Sequence, residues 1–311
     1  GLMGGSVALA LRRQGFEVVG TDVSRARLDE AISRGVLDSA WAGADNSIEF
    51  VVVATPVDVV ADSVLVALRD APRAIVTDVG SVKASIAAAV VDARFVPGHP
   101  MAGSELSGLD GAREDLFDDA LWVLTPTEHT AASAIAAAHA VVSSLGAEAV
   151  VLAPERHDEL VALVSHVPHL VAASLMNMAA ASAEDHGLLL RLAAGGFRDM
   201  TRVAAGDPQI WPSICLSNDD AITRGLDRLV EMLATVRTAI DTGDRASLHE
   251  SLAAASSARR ALPARRASTA VELAEVVVPI PDRPGALADI TTTASAIGVN
   301  IDNIELTHTM E

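Results

Sequence analysis

The sequence is poor in cysteine, in lysine and in long apolar runs. Cys215 is the single cysteine among 311 residues, which excludes a disulfide framework and is typical of a reducing cytoplasm. No uninterrupted apolar run reaches the roughly 18 residues needed to cross a bilayer. No basic segment followed by an apolar stretch and a cleavage site opens the chain. We therefore expect a cytoplasmic protein that binds no membrane.

Positive charge is scarce as well. The chain has 23 lysines and arginines against 41 acidic residues, a net charge of −18, which argues against a nucleic-acid partner. Any anionic substrate would need a local arginine pocket that overcomes this field. Lys83 is the single lysine of the chain. Half of the residues are hydrophobic, and this length suggests two or three domains with buried cores.

Residues 1–152 alternate short Val- and Ile-rich runs with helical segments. The predicted strands are Glu17–Asp22, Glu49–Thr55, Ala74–Val79, Arg94–Pro97, Leu121–Leu124 and Glu148–Leu152. The predicted helices include Ser24–Arg34, Val57–Arg69, Val82–Val91 and His129–Leu145. Several strands lack polar alternation, as strands buried on both faces do. The alternation predicts a doubly wound α/β domain with a largely parallel sheet.

Residues 153–262 carry no strand signal and predict an all-α domain. Its clearest helix is Ser217–Asp241, where Ser217 or Asn218 can cap the start and Gly243 follows the end. Apolar residues recur along it at three- and four-residue steps. Ala-rich helices without a sheet to cover are expected to pack on each other across a homodimer interface, with a monomeric helical domain as the alternative.

The chain opens with a glycine pattern, Gly1-Leu2-Met3-Gly4-Gly5-Ser6, that runs directly into an apolar helix. It matches the second half of a G-x-G-x-x-G loop, whose glycines let the backbone approach a pyrophosphate at a helix N-terminus. Asp22 follows at the end of the next strand, where a carboxylate accepts hydrogen bonds from an adenosine ribose and repels a 2′-phosphate. These features predict a Rossmann-type NAD site formed by Gly1, Leu2, Met3, Gly4 and Asp22.

The first glycine of that loop and the strand before it do not appear in the sequence. The central strand of such a sheet is buried on both faces. We therefore expect the natural protein to begin with a Val/Ile-rich strand that ends in Gly-x.

Two further segments stand where open α/β sheets bind ligands, beyond the carboxyl ends of strands. They are Asp78–Lys83, which contains Ser81, and Gly98–Glu105, which contains His99. A histidine in a Gly-His-Pro loop is held rigidly and can accept a proton near neutral pH. Capping of the loop by hydrogen bonds is its alternative role.

A third set of segments lies in the helical part. His166 and His169 are three residues apart, but no HExxH pattern or cysteine cluster accompanies them and Pro168 disturbs the turn between them, so we expect no metal site. Arg202 could clamp a carboxylate bidentately. A pairing of Arg202 with Asp199 or Asp207 is the alternative.

Taken in order, these segments resemble the prephenate/arogenate dehydrogenase family. The pieces that carry the resemblance are GLMGGS, DVGSVK, GHPMAGSE, HD…SHVPH and GGFRDMTR. The resemblance implies a Rossmann domain joined to a helical dimerisation domain, and NAD-dependent oxidative decarboxylation of prephenate to 4-hydroxyphenylpyruvate in tyrosine biosynthesis. His99 would be the general base and Ser81 would position the ring hydroxyl. Arg202 would hold a substrate carboxylate, with His169, Gly195 and Trp211 in the pocket.

The tail adds a further resemblance. Ala258–Ala270 is predicted as a linker, and residues 271–311 resemble the opening of an ACT regulatory domain, with strands at Val271–Ile280 and Val299–Leu306 around a helix at Ala286–Ile297. Because ACT modules commonly bind amino acids, tyrosine is expected as a feedback ligand.

The sequence leaves open three other functions and one other cofactor. Arogenate could replace prephenate as substrate, and Asp22 disfavours NADP without excluding it. A β-hydroxyacid dehydrogenase would want a lysine on a helix of the second domain, where the sequence has none. An inactive NAD-binding sensor is disfavoured by the presence of His99, Ser81 and Arg202 together.

Overall fold

A computed structural model describes residues 1–104, 106–185, 189–262 and 285–296, together with Val278 and Arg283. The chain divides into two compact units, Gly1–Arg259 and Arg260–Glu311. The strands are β1 (Val19–Gly20), β2 (Ser39–Ala40), β3 (Phe50–Val53), β4 (Ile75–Asp78), β5 (Phe95–Val96), β6 (Gly98–Pro100), β7 (Leu121–Leu124) and β8 (Glu148–Val151). The helices of the first part are α1 (Leu2–Arg13), α2 (Arg25–Ser33), α3 (Val57–Asp70), α4 (Ala84–Ala89) and α5 (Ala132–Ser144).

The helices that follow are α6 (Pro154–Val161), α7 (Val167–Asp185), α8 (Gly195–Thr201), α9 (Trp211–Ser217), α10 (Asp219–Thr242), α11 (Arg245–Arg260) and α12 (Ala286–Ala296). A π-helical turn, Ala162–His166, joins α6 to α7. Short 3₁₀ turns occur at Gly108–Gly111, Leu189–Leu192 and Arg202–Ala205. Within residues 153–262, the described part of the chain thus changes from alternating strands and helices to helices and helical turns, as predicted.

The strands pair in three sets. β1 pairs with β2, and β3, β4 and β5 follow one another in order, all in parallel. In the third set β7 is parallel to β8, but β6 is antiparallel to β7, with His99 opposite Val123. The chain passes from β5 to β6 through Pro97. The prediction of a largely parallel arrangement is therefore correct except at β6, a strand that the sequence reading did not include.

Apolar side chains cover both faces of the strands. One buried cluster joins α1 and α5 to the strands through Val7, Ala138, Val96 and Leu124, among others. A second joins α3 and α4 to the opposite face, with Val76 of β4 between them. The strands are buried from both sides because helices pack on each face, which is the doubly wound arrangement that the sequence predicts.

The helical part is centred on a continuous helix, Pro154–Ser182, in which α6, the π turn and α7 follow without a break. By length and composition this helix could cross a membrane, although one third of its apolar window is buried inside the chain. Because His166, Pro168 and His169 interrupt its apolar residues, this helix is not apparent as an uninterrupted apolar run in the sequence. The helix carries buried His157, Asp158 and His166, and its side chains pack against Ile222 of α10.

The tail is described only in part. α11 continues to Arg260, so the first residues of the expected linker are helical instead. Within the second unit, α12 occupies most of the helix predicted at Ala286–Ile297. The two predicted strands around it lie outside the described residues, apart from Val278, and the ACT-like arrangement stays a prediction.

Candidate active site

The glycine pattern forms the start of α1. Gly1 occupies the N-cap position and the helix begins at Leu2, so the first N–H groups of the helix point outward without helical acceptors. A Cβ on Gly4 would lie 3.1 Å from the Cβ of Ala54, which follows β3. Only glycine lets α1 approach this strand end so closely. The backbone cradle therefore fits the phosphates of a dinucleotide.

Asp22 lies just beyond β1, on the same side of the strands. Its carboxylate accepts a hydrogen bond from the Ser24 N–H at 2.8 Å and lies 3.3 Å from Nε of Arg27. Its side chain is 26% exposed, so oxygen lone pairs remain accessible to a ribose. Met3 packs against the core beneath the loop.

A buried ion pair holds the strand that carries His99. The Lys83 ammonium bonds the carboxylate of Asp78 and also donates to the Gly98 carbonyl at 2.8 Å, and both charged side chains are fully buried. Asp78 in turn accepts from the Gly98 N–H at 3.1 Å. Burial lowers the pKa of Lys83, and the charge of Asp78 opposes that shift. The residue before His99 is thus fixed through its N–H and its carbonyl.

His99 is also held through its ring. Its Nδ1 lies 2.8 Å from Nε2 of His157, and the rings meet edge to face at 70°. Nδ1 of His157 lies 2.7 Å from Oδ1 of Asp158. His157 and Asp158 are buried, whereas His99 keeps a partly exposed edge. A chain of three side chains therefore ends at the histidine that the sequence predicts as the base.

Asp158 joins the helical part to the nucleotide-binding part. Its Oδ1 accepts from the Lys83 N–H and its Oδ2 from the Ala84 N–H, each at 2.8 Å, where α4 begins. Its backbone carbonyl accepts from Nδ2 of Asn218 at 3.0 Å. The same amide lies 3.2 Å from Nδ1 of His166. Of the two predicted caps of α10, Ser217 and Asn218, it is Asn218 that occupies the N-cap position, but its side chain makes these buried contacts and no cap hydrogen bond.

A pair of stacked aromatic side chains lies next to this network. The rings of His169 and Trp211 stack at 3.5 Å and 12°, and His166 approaches Trp211 edge-on at 6.2 Å. Gly206 lies beside both stacked rings. The structure thus brings His169 and Trp211, two predicted pocket residues, into direct contact.

Burial controls the protonation of these histidines. Desolvation lowers the pKa of His99 well below its usual 6.5, and neighbouring His157 and Lys83 lower it further. Desolvation also lowers the pKa of His166 to about 4, against the opposing charge of Asp158, and lowers that of His169. His99 is therefore a neutral imidazole at pH 7, able to accept a proton.

Three other residues that the sequence predicts for the site lie in a loop, in a 3₁₀ turn and at the start of a helix. Ser81 is half-buried in the loop between β4 and α4, two residues before Lys83. Arg202 is exposed at the start of a 3₁₀ turn that packs on α7, the helix that carries His169. Gly195 begins α8, is exposed, and has open space where a Cβ would stand. Their predicted contacts with substrate stay predictions.

No group of three histidine, cysteine or acidic side chains is placed to hold a metal ion within the part of the chain that the structure describes.

Models of known families match most of the chain. The model described as "Prephenate dehydrogenase, nucleotide-binding domain" matches residues 7–151, and the one described as "Prephenate dehydrogenase, dimerization domain" matches residues 153–254. The chain belongs to the prephenate dehydrogenase family. The family resemblance and the Rossmann-plus-helical fold predicted from the sequence are thereby confirmed. The domain limits 1–152, 153–262 and 271–311 stay predictions.

Individual relatives agree with this family. Prephenate dehydrogenase of Bacillus subtilis (strain 168) is 34% identical over the whole chain and 87% of its own length. The structure of Aquifex aeolicus prephenate dehydrogenase with hydroxyphenyl propionate and NAD+ has a TM-score of 0.79 at 29% identity, covering 84% of this chain and 95% of that one. Synechocystis arogenate dehydrogenase has a TM-score of 0.72 at 31% identity, covering 83% and 96%.

Three residues of the network have no role assigned from the sequence, namely Lys83, His157 and Asp158. His157 and Asp158 nevertheless lie in the HD segment that carries the resemblance to the prephenate dehydrogenase family. One signal pointed to Lys83, because it is the single lysine among 23 basic residues. Nothing in the sequence could show that Asp158, 75 residues further on, bonds the backbone of Lys83.

Proposed function

We propose that the chain is an NAD-dependent prephenate dehydrogenase that converts prephenate to 4-hydroxyphenylpyruvate and carbon dioxide. Membership of the family supports the reaction. The observation that carries the proposal is His99, a partly exposed imidazole that follows Gly98, whose backbone is held by Asp78 and Lys83. Its lowered pKa leaves it unprotonated and ready to act as a base.

The cofactor would be held where α1 begins. The N–H groups of Leu2 and Met3 would bind the phosphates, Gly4 allows the close approach, and the carboxylate of Asp22 would accept hydrogen bonds from the ribose hydroxyls. When bound there, NAD would supply the acceptor for a hydride. Asp22 disfavours a 2′-phosphate and hence NADP.

The proposed reaction requires few chemical roles of the protein's own residues. His99 accepts the proton of the ring hydroxyl while Ser81 positions that hydroxyl, which promotes departure of a hydride from the same ring carbon. The bond to the ring carboxylate then breaks, its electron pair enters the ring, and the ring becomes aromatic. Since aromatisation drives the loss of carbon dioxide, the protein needs alignment, one base and an anion clamp.

The clamp is assigned to Arg202, with His169 and Trp211 next to it in the pocket. Support comes from the packing of the Arg202 turn on α7, the helix that carries His169. The stacked rings of His169 and Trp211 give a rigid wall against which a substrate ring can lie. A guanidinium suits a carboxylate because it offers two parallel donors.

The deciding experiment is one assay on the full chain. Prephenate or arogenate is supplied with NAD or NADP, and both reduced-cofactor absorbance and carbon dioxide release are followed. We expect prephenate with NAD to be fastest and His99→Asn to lower kcat by about 100-fold or more. His139→Asn, on the exposed side of α5, is the matched control and should keep full activity. A His99→Asn enzyme with unchanged kcat would remove His99 from the mechanism.

Arogenate is the second candidate substrate. The similarity to Synechocystis arogenate dehydrogenase, at 31% identity, favours testing it beside prephenate. A faster reaction with arogenate in the same assay would replace the first proposal. A β-hydroxyacid dehydrogenase is disfavoured, because Lys83 is the single lysine and its ammonium is buried against Asp78.

The assembly is proposed to be a homodimer formed by the helical part, in the cytoplasm. The matching dimerisation-domain model supports the dimer. So do large apolar side chains exposed along α10, among them Leu233 at 58% and Ile240 at 61%. Tyrosine is proposed as a feedback ligand of residues 271–311. Titration of tyrosine into the assay should lower the rate, and an unchanged rate would count against this ligand.

A further inference from the structure

The reaction proposed above requires a lone pair on one specific nitrogen of His99. Each neutral imidazole carries one N–H and one lone pair, and the bond made by one nitrogen decides the state of the other. Nδ1 of His99 is the nitrogen that lies 2.8 Å from His157. Nε2 is therefore the nitrogen left for a substrate hydroxyl.

The proton positions follow from Asp158. Its two oxygens receive the N–H groups of Lys83 and Ala84, as an acceptor-only carboxylate does. Oδ1 also lies 2.7 Å from Nδ1 of His157, so that this nitrogen must carry the hydrogen and donate it. With its hydrogen on Nδ1, the imidazole form of His157 carries its lone pair on Nε2.

We propose that His157 and Asp158 are positioning residues that hold His99 in the tautomer whose Nε2 accepts the substrate proton. His99 donates its Nδ1–H to Nε2 of His157, and His157 donates its Nδ1–H to Asp158. The assignment rests on the proposed function of His99 as the base. The opposite tautomer would present an N–H to the hydroxyl and could not remove its proton.

The surrounding contacts give this arrangement its rigidity. Asp158 is fixed by two backbone N–H groups of the first part, and its own carbonyl is held by Asn218. His157 is 1% exposed, which keeps water away from both of its nitrogens. When His99 becomes protonated during turnover, its Nδ1–H still points along a chain that ends in a negative charge.

Nitrogen NMR of the histidine-labelled full chain, without substrate, tests the tautomer directly. The His99 signals are assigned by their loss in His99→Asn. We expect Nε2 of His99 at the position of an unprotonated imidazole nitrogen and its Nδ1 at that of a protonated one near pH 7. The reverse pattern, or an averaged signal from both tautomers, would overturn the proposal.

Two substitutions of His157 supply the kinetic test. His157→Phe keeps a ring but removes the acceptor, and it should lower kcat by about 100-fold while KM changes less than about threefold. His157→Gln can place its amide oxygen where Nε2 stands, accept from His99, and so retain kcat within about tenfold. His139→Gln serves as the exposed control. Equal kcat for the Phe variant and the wild type would contradict the proposal.

The outcomes separate this proposal from the function on which it rests. A wild-type chain that does not oxidise prephenate or arogenate contradicts the proposed function, whatever the NMR spectrum shows. An active wild type with a hydrogen on Nε2 of His99 contradicts the tautomer assignment alone. If His157→Phe fails to fold, the wild-type spectrum and the Gln variant still decide.

Discussion

At the scale of single residues, Arg202 is the exposed cation on which anion binding is proposed to depend. Arg202→Gln removes the bidentate donor, and we expect KM for prephenate to rise about tenfold or more with kcat within about twofold. The reason is that the lost contact binds the substrate and the transition state alike. Steady-state kinetics measures both constants, and Arg69→Gln, an exposed arginine of α3 paired with Asp70, is the control. An unchanged KM would exclude the clamp.

Also at the scale of single residues, we expect His166 to make the folding stability depend on pH. The folded chain holds its pKa near 4, below the usual 6.5, because burial disfavours the charged ring. Between these values the unfolded chain binds more protons than the folded chain, so folding stability is complete above pH 6.5 and falls as the pH drops towards 4. Protonation would also place a hydrogen on Nδ1, which faces the amide of Asn218.

The measurement is the urea midpoint at pH 7 and at pH 4.5. His166→Gln cannot titrate and can still accept from Asn218, so we expect its midpoint to fall less than that of the wild type over this interval. Since surface carboxylates titrate in both proteins, the difference between the two isolates His166. If the urea midpoints of both proteins fell equally between pH 7 and pH 4.5, His166 would not contribute to the pH dependence of stability.

Residue identities pointed to His99, at one end of the side-chain network, and to Ser81, but not to the contacts that hold His99. His99 and Ser81 follow strand ends, where parallel sheets bind ligands, and this position is visible in the sequence. The contact of His157 with His99 spans 58 residues and depends on how α6 packs against α4. Periodicity places His157 on a helix but does not tell which strand end the helix reaches.

At the scale of elements, the approach of α1 to β3 decides whether the cofactor loop keeps its shape. Gly4→Ala would place a Cβ 3.1 Å from the Cβ of Ala54, and we expect it to raise the Kd for NAD several-fold by pushing the two apart. Ala54→Gly removes that obstacle, so the double variant should recover most of the affinity. Isothermal titration with NAD measures both. A double variant that binds no better than Gly4→Ala would show that this contact is not the cause.

The elements missed from the sequence have identifiable reasons. β6 reads as a loop because it consists of Gly98, His99 and Pro100, and its strand geometry comes from pairing with β7. The helix from Pro154 to Ser182 continues through Pro168, whose missing N–H cannot support a regular turn. The π turn at Ala162–His166 lies directly before Val167 and Pro168, and widens the backbone there.

At the scale of the whole molecule, the apolar side chains of α10 identify the surface that a second copy would cover. The sequence predicts Ile222, Leu226, Leu229, Leu233, Val236 and Ile240 on one stripe. Ile222 is buried within the chain, whereas Leu233 and Ile240 are more than half exposed. The apolar stripe is thus buried within the chain at its start and exposed towards its end, which is typical of a helix that packs against a second copy of the chain.

Leu233→Glu should convert the proposed dimer to a monomer. A buried charge in an apolar interface is costly, and we expect sedimentation velocity to show a mass near 32 kDa for the variant and about twice that for the wild type. Leu65→Glu, at a leucine of α3 that is 48% exposed, is the control and should stay dimeric. A dimeric Leu233→Glu protein would place the interface elsewhere.

Asp158 has a consequence for how the enzyme must be assembled. The histidine proposed as the proton acceptor belongs to the nucleotide-binding part, while the carboxylate proposed to orient it lies on the first helix of the next part and accepts hydrogen bonds from the backbone of Lys83 and Ala84. An isolated fragment of residues 1–152 could keep its dinucleotide cradle and yet leave its imidazole free to rotate. If that orientation is required, catalytic activity depends on the junction between the two parts, and a ligand that loosened the junction would stop the reaction without touching the cofactor.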